Sequence, residues 1–212
     1  MKKFLRYQLD GYLRGRAQER NEEKPLIRVE PNQGYIHYNK GGLVMYALQD
    51  AIGEDRVSQA LAAMTKDYAF KSAPYPTSLD LVRYLKNVTP PEFQYLYEDW
   101  FETITIFDNR AVKATYAELP DKKYQVRLTV ETKKYRADGK GQEHTIPIHD
   151  LIDIGVLDTD GKFLYLQKHE ITKDSEDFTL TVDRQPAQAG IDPLIKLIDR
   201  NPDDNTTAAT KQ

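Results

Sequence analysis

Apolar positions recur with a helical period over the first hundred residues and with a period of two after about residue 103. Phe4, Leu5, Leu9, Tyr12 and Leu13 form a first stripe, with no evident N-cap and a start almost at the first residue, as a cut helix would show. The charged stretch Arg16 to Lys24 reads as a loop or frayed end, limited by Pro25. Val44, Ala47, Leu48, Ala51 and Ile52 then fall at i, i+3, i+4, i+7 and i+8, and Gly53 supplies a stop. Glu54 and Asp55 follow, as acids suited to a first turn, ahead of Val57, Ala60, Leu61, Met64 and Tyr68. The short connection predicts an antiparallel helical hairpin. After Pro74-Tyr75-Pro76, Thr77 reads as the N-cap of a helix that turns Leu81, Val82, Leu85 and Val88 inward. Thr89-Pro90-Pro91-Glu92 has the form of a capping box with proline at the first helical position. Phe93, Leu96, Tyr97, Trp100 and Phe101 then predict a helix with a broad aromatic core face.

The second half predicts strands. Tyr124, Val126, Leu128 and Val130 alternate with Gln125, Arg127, Thr129 and Glu131, as in a half-buried strand. Ile146, Ile148, Leu151, Ile152, Ile154 and Val156 predict another, with room for a bulge. Asp160-Gly161 marks a hairpin into Phe163-Leu164-Tyr165-Leu166, Asp138-Gly139 marks a further turn, and Phe178, Leu180 and Val182 alternate again. Arg184 to Gly190 reads as linker, and the tail from Asn201, rich in Asp, Asn and Thr, reads as disordered. The pattern predicts an α+β fold: a helical lobe over 1–103, an antiparallel β-sandwich over 104–185, and a partly disordered extension over 186–212.

Composition narrows the chemistry. No cysteine is present, which excludes a disulfide framework, an iron–sulfur cluster, a cysteine nucleophile and a Cys-type zinc site. Thirty basic and 33 acidic residues leave a net charge of −3, which argues against a broad nucleic-acid footprint. No apolar run reaches the ~18–20 residues that span a bilayer, and Phe4 to Asp10 is too polar for a signal-peptide core.

Candidate motifs thin out quickly. A zinc-hydrolase helix needs two histidines four apart around a glutamate; His169-Glu170 begins the pattern, but Lys173 ends it. His144 and His149, five apart in a strand region, read as surface or turn residues. Asp158-Thr159-Asp160-Gly161 resembles the opening of a calcium loop but lacks its later oxygen ligands, so a hairpin turn explains it better. Lys133-Lys134-Tyr135-Arg136 reads as a solvated hairpin tip. One segment stands apart, Tyr35-Ile36-His37-Tyr38-Asn39-Lys40-Gly41-Gly42, at the opening of the second helix. Two glycines in a first turn cost ~1 kcal/mol each against alanine, a cost tolerated where a backbone approaches something closely. Helix–helix packing and a polar cleft both satisfy that reading. A tyrosine hydroxyl, with a reference pKa of ~10, stays protonated at neutral pH and can donate to a developing oxyanion.

At this segment a resemblance emerges. Tyr38-Asn39-Lys40-Gly41-Gly42, with Leu43 to Leu48 and Ile52-Gly53-Glu54, resembles the Tyr-Glu-Lys-Gly helix of gluzincin aminopeptidases, the membrane alanyl aminopeptidase family. Asn39 stands where the family usually has an acid. Tyr68 to Ser72 and Trp100-Phe101 look like downstream landmarks of the same family. Leu9-Asp10-Gly11-Tyr12-Leu13-Arg14-Gly15-Arg16, Gly190-Ile191-Asp192-Pro193 and Asn201-Pro202-Asp203-Asp204-Asn205 extend the similarity to the C-terminal part of bacterial proteins that join such a peptidase to an ABC-type permease.

The resemblance implies a zinc peptidase that removes N-terminal residues from peptides. Its zinc motif and Gly-rich strand do not occur in this chain and would belong to a missing N-terminal catalytic lobe of a parent protein in the bacterial inner membrane. Tyr38 matches the tyrosine that hydrogen-bonds the tetrahedral intermediate. The implied expectations are zinc in the parent and none in this chain, a peptide substrate for the parent, membrane contact only through absent segments, no nucleic acid, and self-association of the exposed lobe. The alternative reading is a non-catalytic, peptidase-like binding or scaffolding module of a transporter.

Overall fold

A computed structural model describes residues 1–212. The chain divides into two compact units: one takes Lys3–Thr105 and Arg136–Glu143, the other Met1–Lys2, Ile106–Tyr135 and His144–Gln212.

The helical unit comprises α1 (Lys2–Gln18), a π-helical turn over Tyr35–Lys40, α2 (Gly41–Ile52), α3 (Glu54–Tyr68), α4 (Ser78–Val88) and a last turn over Glu98–Glu102. The core is built from Leu5, Leu9 and Tyr12 of α1, from Leu43, Val44, Leu48 and Ile52 of α2, and from Leu85, Tyr97 and Phe101. Gly53 ends α2 at φ 94°, a left-handed value that glycine adopts without strain. Arg56 caps the same end by donating to the Ile52 carbonyl at 2.8 Å. The α3 stripe is shorter than its period predicts: Val57 and Ala60 are buried, whereas Leu61 is exposed. Its C-terminal half is held to α4 by tyrosine hydroxyls instead. Tyr68 donates to Asp80 at 3.0 Å, and Tyr84 donates to Asp67.

The capping box forms at Thr77, where Asp80 accepts the Thr77 backbone N–H at 2.9 Å. The box predicted at Thr89 does not form. The Thr89 hydroxyl contacts the Leu85 carbonyl at 2.8 Å and the Tyr97 hydroxyl at 2.6 Å. A 3₁₀ turn over Pro91–Phe93 replaces the expected helix start, yet Leu96, Tyr97, Trp100 and Phe101 are buried as their spacing requires.

The second unit holds most of an eight-stranded sheet: β1 (Ile104–Glu118), β2 (Tyr124–Ala137), β3 (Glu143–Ile146), β4 (Asp150–Leu157), β5 (Phe163–Ile171), β6 (Ser175–Val182), β7 (Gln188–Ile191) and β8 (Thr206–Lys211). The fold is α+β, with strand order β3-β2-β1-β8-β7-β4-β5 and β6 paired to β2. β2–β6, β4–β5, β4–β7 and β7–β8 are antiparallel. The sheet is nonetheless mixed rather than purely antiparallel, because β1 and β8 run parallel in register Ala114↔Ala209. The segment read as a linker and disordered tail therefore supplies two strands, one of them central. Lys133 to Arg136 is likewise not a solvated tip. It lies within β2, where Lys134 is buried against Asp150 at 2.9 Å. Arg136 pairs with Asp99 at 2.9 Å. At the β4–β5 turn, Asp158 accepts the N–H groups of Asp160 and Lys162 at 3.0 and 2.9 Å, so that motif is a hairpin.

Candidate functional site

The segment around Tyr38 does not precede a helix; it is already helical. Residues 35–40 form a π-helical turn that runs without a break into α2, with Gly41 at φ −58°. Wide turns of this kind inside helices often occur at functional sites. The turn sorts its side chains by depth. Ile36 and Lys40 are fully buried, while Tyr38 is 75% exposed. The His37 ring meets the Tyr38 ring edge-on, with centroids 4.3 Å apart.

Close backbone approach occurs, but not at Gly41 and Gly42. A side-chain carbon at Gly41 or Gly42 would meet ordinary contacts of 3.6 and 3.8 Å. The tight positions are Gly11 and Gly15, one turn apart on α1. A carbon there would stand 2.6 Å from the Asn39 amide nitrogen and 2.3 Å from the Tyr35 Cβ. The Asn39 amide also donates to Gln8 at 2.8 Å, tying the turn to α1 on either side of that seam.

Beneath the turn lies a polar network that sequence reasoning missed. Glu23, almost wholly buried, accepts from the Tyr12 hydroxyl and from Arg16 Nε at 2.8 Å. Arg16 reaches Glu143 as well, at 2.8 Å, and the Glu23 N–H donates to the Gly139 carbonyl at 2.8 Å. Burial, reinforced by Glu23, pushes the Tyr12 phenol well above its ordinary pKa. Burial and the Glu23 charge raise Tyr35 too; its hydroxyl donates to Glu19 at 3.2 Å. Lys40 joins this network through its charge alone. Its Nζ has no hydrogen-bond partner and lies 5.5 Å from the centroid of the Tyr12 ring. Burial lowers its pKa to about 8, partly opposed by Glu23. No local signal marks Glu23 as buried, since it is one charge in the charged stretch Arg16 to Lys24, and Lys40 stands alone among polar residues and glycines.

No group of three or more His, Cys, Asp or Glu side chains could hold a metal ion. His149, just before β4, contacts Glu170 at 2.5 Å, and His169 on β5 contacts Tyr165 at 2.7 Å, while His37 is engaged with Tyr38. The chemistry available at the turn is that of one solvent-facing phenol on an anchored backbone. No helix is long and apolar enough to cross a membrane. No family model and no curated protein matches the chain.

Proposed function

We propose that the helical unit is the C-terminal lobe of an aminopeptidase-like domain, in which Tyr38 donates a hydrogen bond to the oxyanion that develops when a peptide bond is attacked. The observation that carries this reading is the pairing of exposure and anchorage: the phenol is 75% exposed on a turn whose neighbours are buried or bonded to α1. A donor aimed at developing charge is effective when its position is fixed beforehand. In this reading zinc belongs to another lobe of the parent, a bacterial membrane protein joined to an ABC-type permease, and no residue of this chain ligates it. Phe4 and Tyr7, one turn apart on α1 and exposed, are apolar surface that such a lobe would cover.

The test is Tyr38→Phe in the parent protein, assayed on an aminoacyl chromogenic amide. Turnover should fall roughly 10²–10³-fold, the scale for losing one oxyanion donor, with the thermal unfolding midpoint unchanged. The isolated chain is the control and should cleave nothing. Turnover that survives the substitution, or chelator-sensitive cleavage by the isolated chain, would sink the assignment. A parent that never cleaves would favour the binding-module reading.

A further inference from the structure

We propose that the sheet unit carries a calcium site, formed where the segment 198–205 runs beside β1. Backbone bonds fix this juxtaposition. The Phe107 N–H donates to the Ile198 carbonyl at 2.7 Å, Arg200 N–H to the Phe107 carbonyl at 3.0 Å, and Ala111 N–H to the Asp204 carbonyl at 2.8 Å. Asn109 lies between Phe107 and Ala111 on β1, and successive alternate residues share a face of a strand. All three are buried.

The polar inventory of this region does not balance. Asp199 is fully buried and forms no ion pair with any Lys, Arg or His. Its two carboxylate oxygens accept the N–H groups of Asn109 and Asn201 at 3.2 and 3.0 Å. Those bonds orient the carboxylate and leave half its lone pairs open. Asn109 is also fully buried, yet neither atom of its amide has a partner. Asn205, at the end of the same segment, is also buried, with both amide atoms outside hydrogen-bond geometry. Asp204 Oδ1 is buried and without a partner as well. Buried polar atoms are almost always bonded, so several unmet oxygens beside a buried, unpaired carboxylate require an explanation.

A calcium ion accounts for the unmet oxygens together, Asp204 Oδ1 and the amide oxygens of Asn109 and Asn205, while the two amide nitrogens, being donors, are left to other partners. It takes 6–8 oxygen ligands at ~2.3–2.6 Å, and accepts amide and backbone carbonyl oxygens beside carboxylates. Asp199 and Asp204 supply two negative charges against its two positive ones, and Asn109 and Asn205 supply neutral oxygens. The set has no nitrogen or sulfur donor, which disfavours zinc. Its dependence on amides also explains why no three acidic or histidine side chains converge here.

The experiment uses the whole chain, stripped with chelator and titrated with CaCl₂ by calorimetry, with thermal unfolding in parallel. One ion should bind per chain and raise the unfolding midpoint by several degrees. Asp204→Asn is the main variant, because Asp204 is only half-buried and can lose its charge without loss of fold. It should weaken calcium binding at least tenfold, while Asn109→Asp should tighten it. No heat and no stabilisation at about 10 mM calcium, a level at which even weak calcium modules saturate, would overturn the proposal in favour of a hydrated pocket. Binding unaffected by both variants, or equal stabilisation by magnesium, would overturn it too.

Discussion

At the scale of single residues, Lys40 is the least comfortable side chain in the helical unit. It was legible only as part of a motif, since its burial depends on α1 residues some thirty positions earlier. The buried ammonium has no hydrogen bond and only a ring face at 5.5 Å, so folding is linked to its proton. Its folded pKa of about 8 lies below the unfolded value of 10.5, so the unfolded chain binds that proton more tightly. The resulting penalty on folding is full below about pH 8 and vanishes as pH rises towards 10.5. It amounts to at most roughly 3 kcal/mol. Lys40→Met, close in shape and uncharged, should therefore stabilise the chain at pH 7, and urea unfolding should show the gain shrinking steadily between pH 8 and pH 10.5. A gain independent of pH, or a loss at pH 7, would mean that Lys40 is compensated in a way its surroundings do not indicate.

Among the elements, those built on their own side-chain period were the readable ones. β2 alternates Val126, Leu128 and Val130 into the core as its sequence requires, and Gly53 and Asp160-Gly161 stop and turn the chain where expected. The seam between α1 and the Tyr38 turn was not readable, because a glycine in a helix looks like a local weakness until its partner is known. Here the partner decides the sign of a substitution. Gly→Ala in a helix is ordinarily worth up to ~1 kcal/mol in favour of alanine. At Gly15 the added carbon would stand 2.3 Å from the Tyr35 Cβ, which moves only if the turn's backbone moves. Overpacking of that kind costs ~1–3 kcal/mol. At Gly11 the obstacle is the end of the Asn39 side chain, which can rotate away. Gly15→Ala should thus lower stability in urea unfolding and do so clearly more than Gly11→Ala. If the two were equal, or both stabilising, α1 would not be pressed against the turn as closely as these contacts require.

On the scale of the whole molecule, the C-terminal residues reverse the meaning that their composition gave them. Thr206-Thr207-Ala208-Ala209-Thr210 has few large apolar side chains and reads as tail, yet β8 pairs with β1 on one side and β7 on the other. Its place is set by backbone hydrogen bonds and by a parallel partner about ninety-five residues earlier, a relation that periodicity cannot reveal. β7 is only four residues long, Gln188–Ile191, and its other neighbour is β4. Without β8, β1 would lose its link to β7 and both would present unpaired edges, which invite pairing with other chains. A chain ending at Asn205 should therefore lose cooperative unfolding of the sheet and aggregate at concentrations where the intact chain does not, as read by calorimetry and light scattering. A dispensable tail would leave the sheet's transition in place. That outcome would restore the reading of 186–212 as a partly disordered extension, and with it the idea that the sheet is complete at β6.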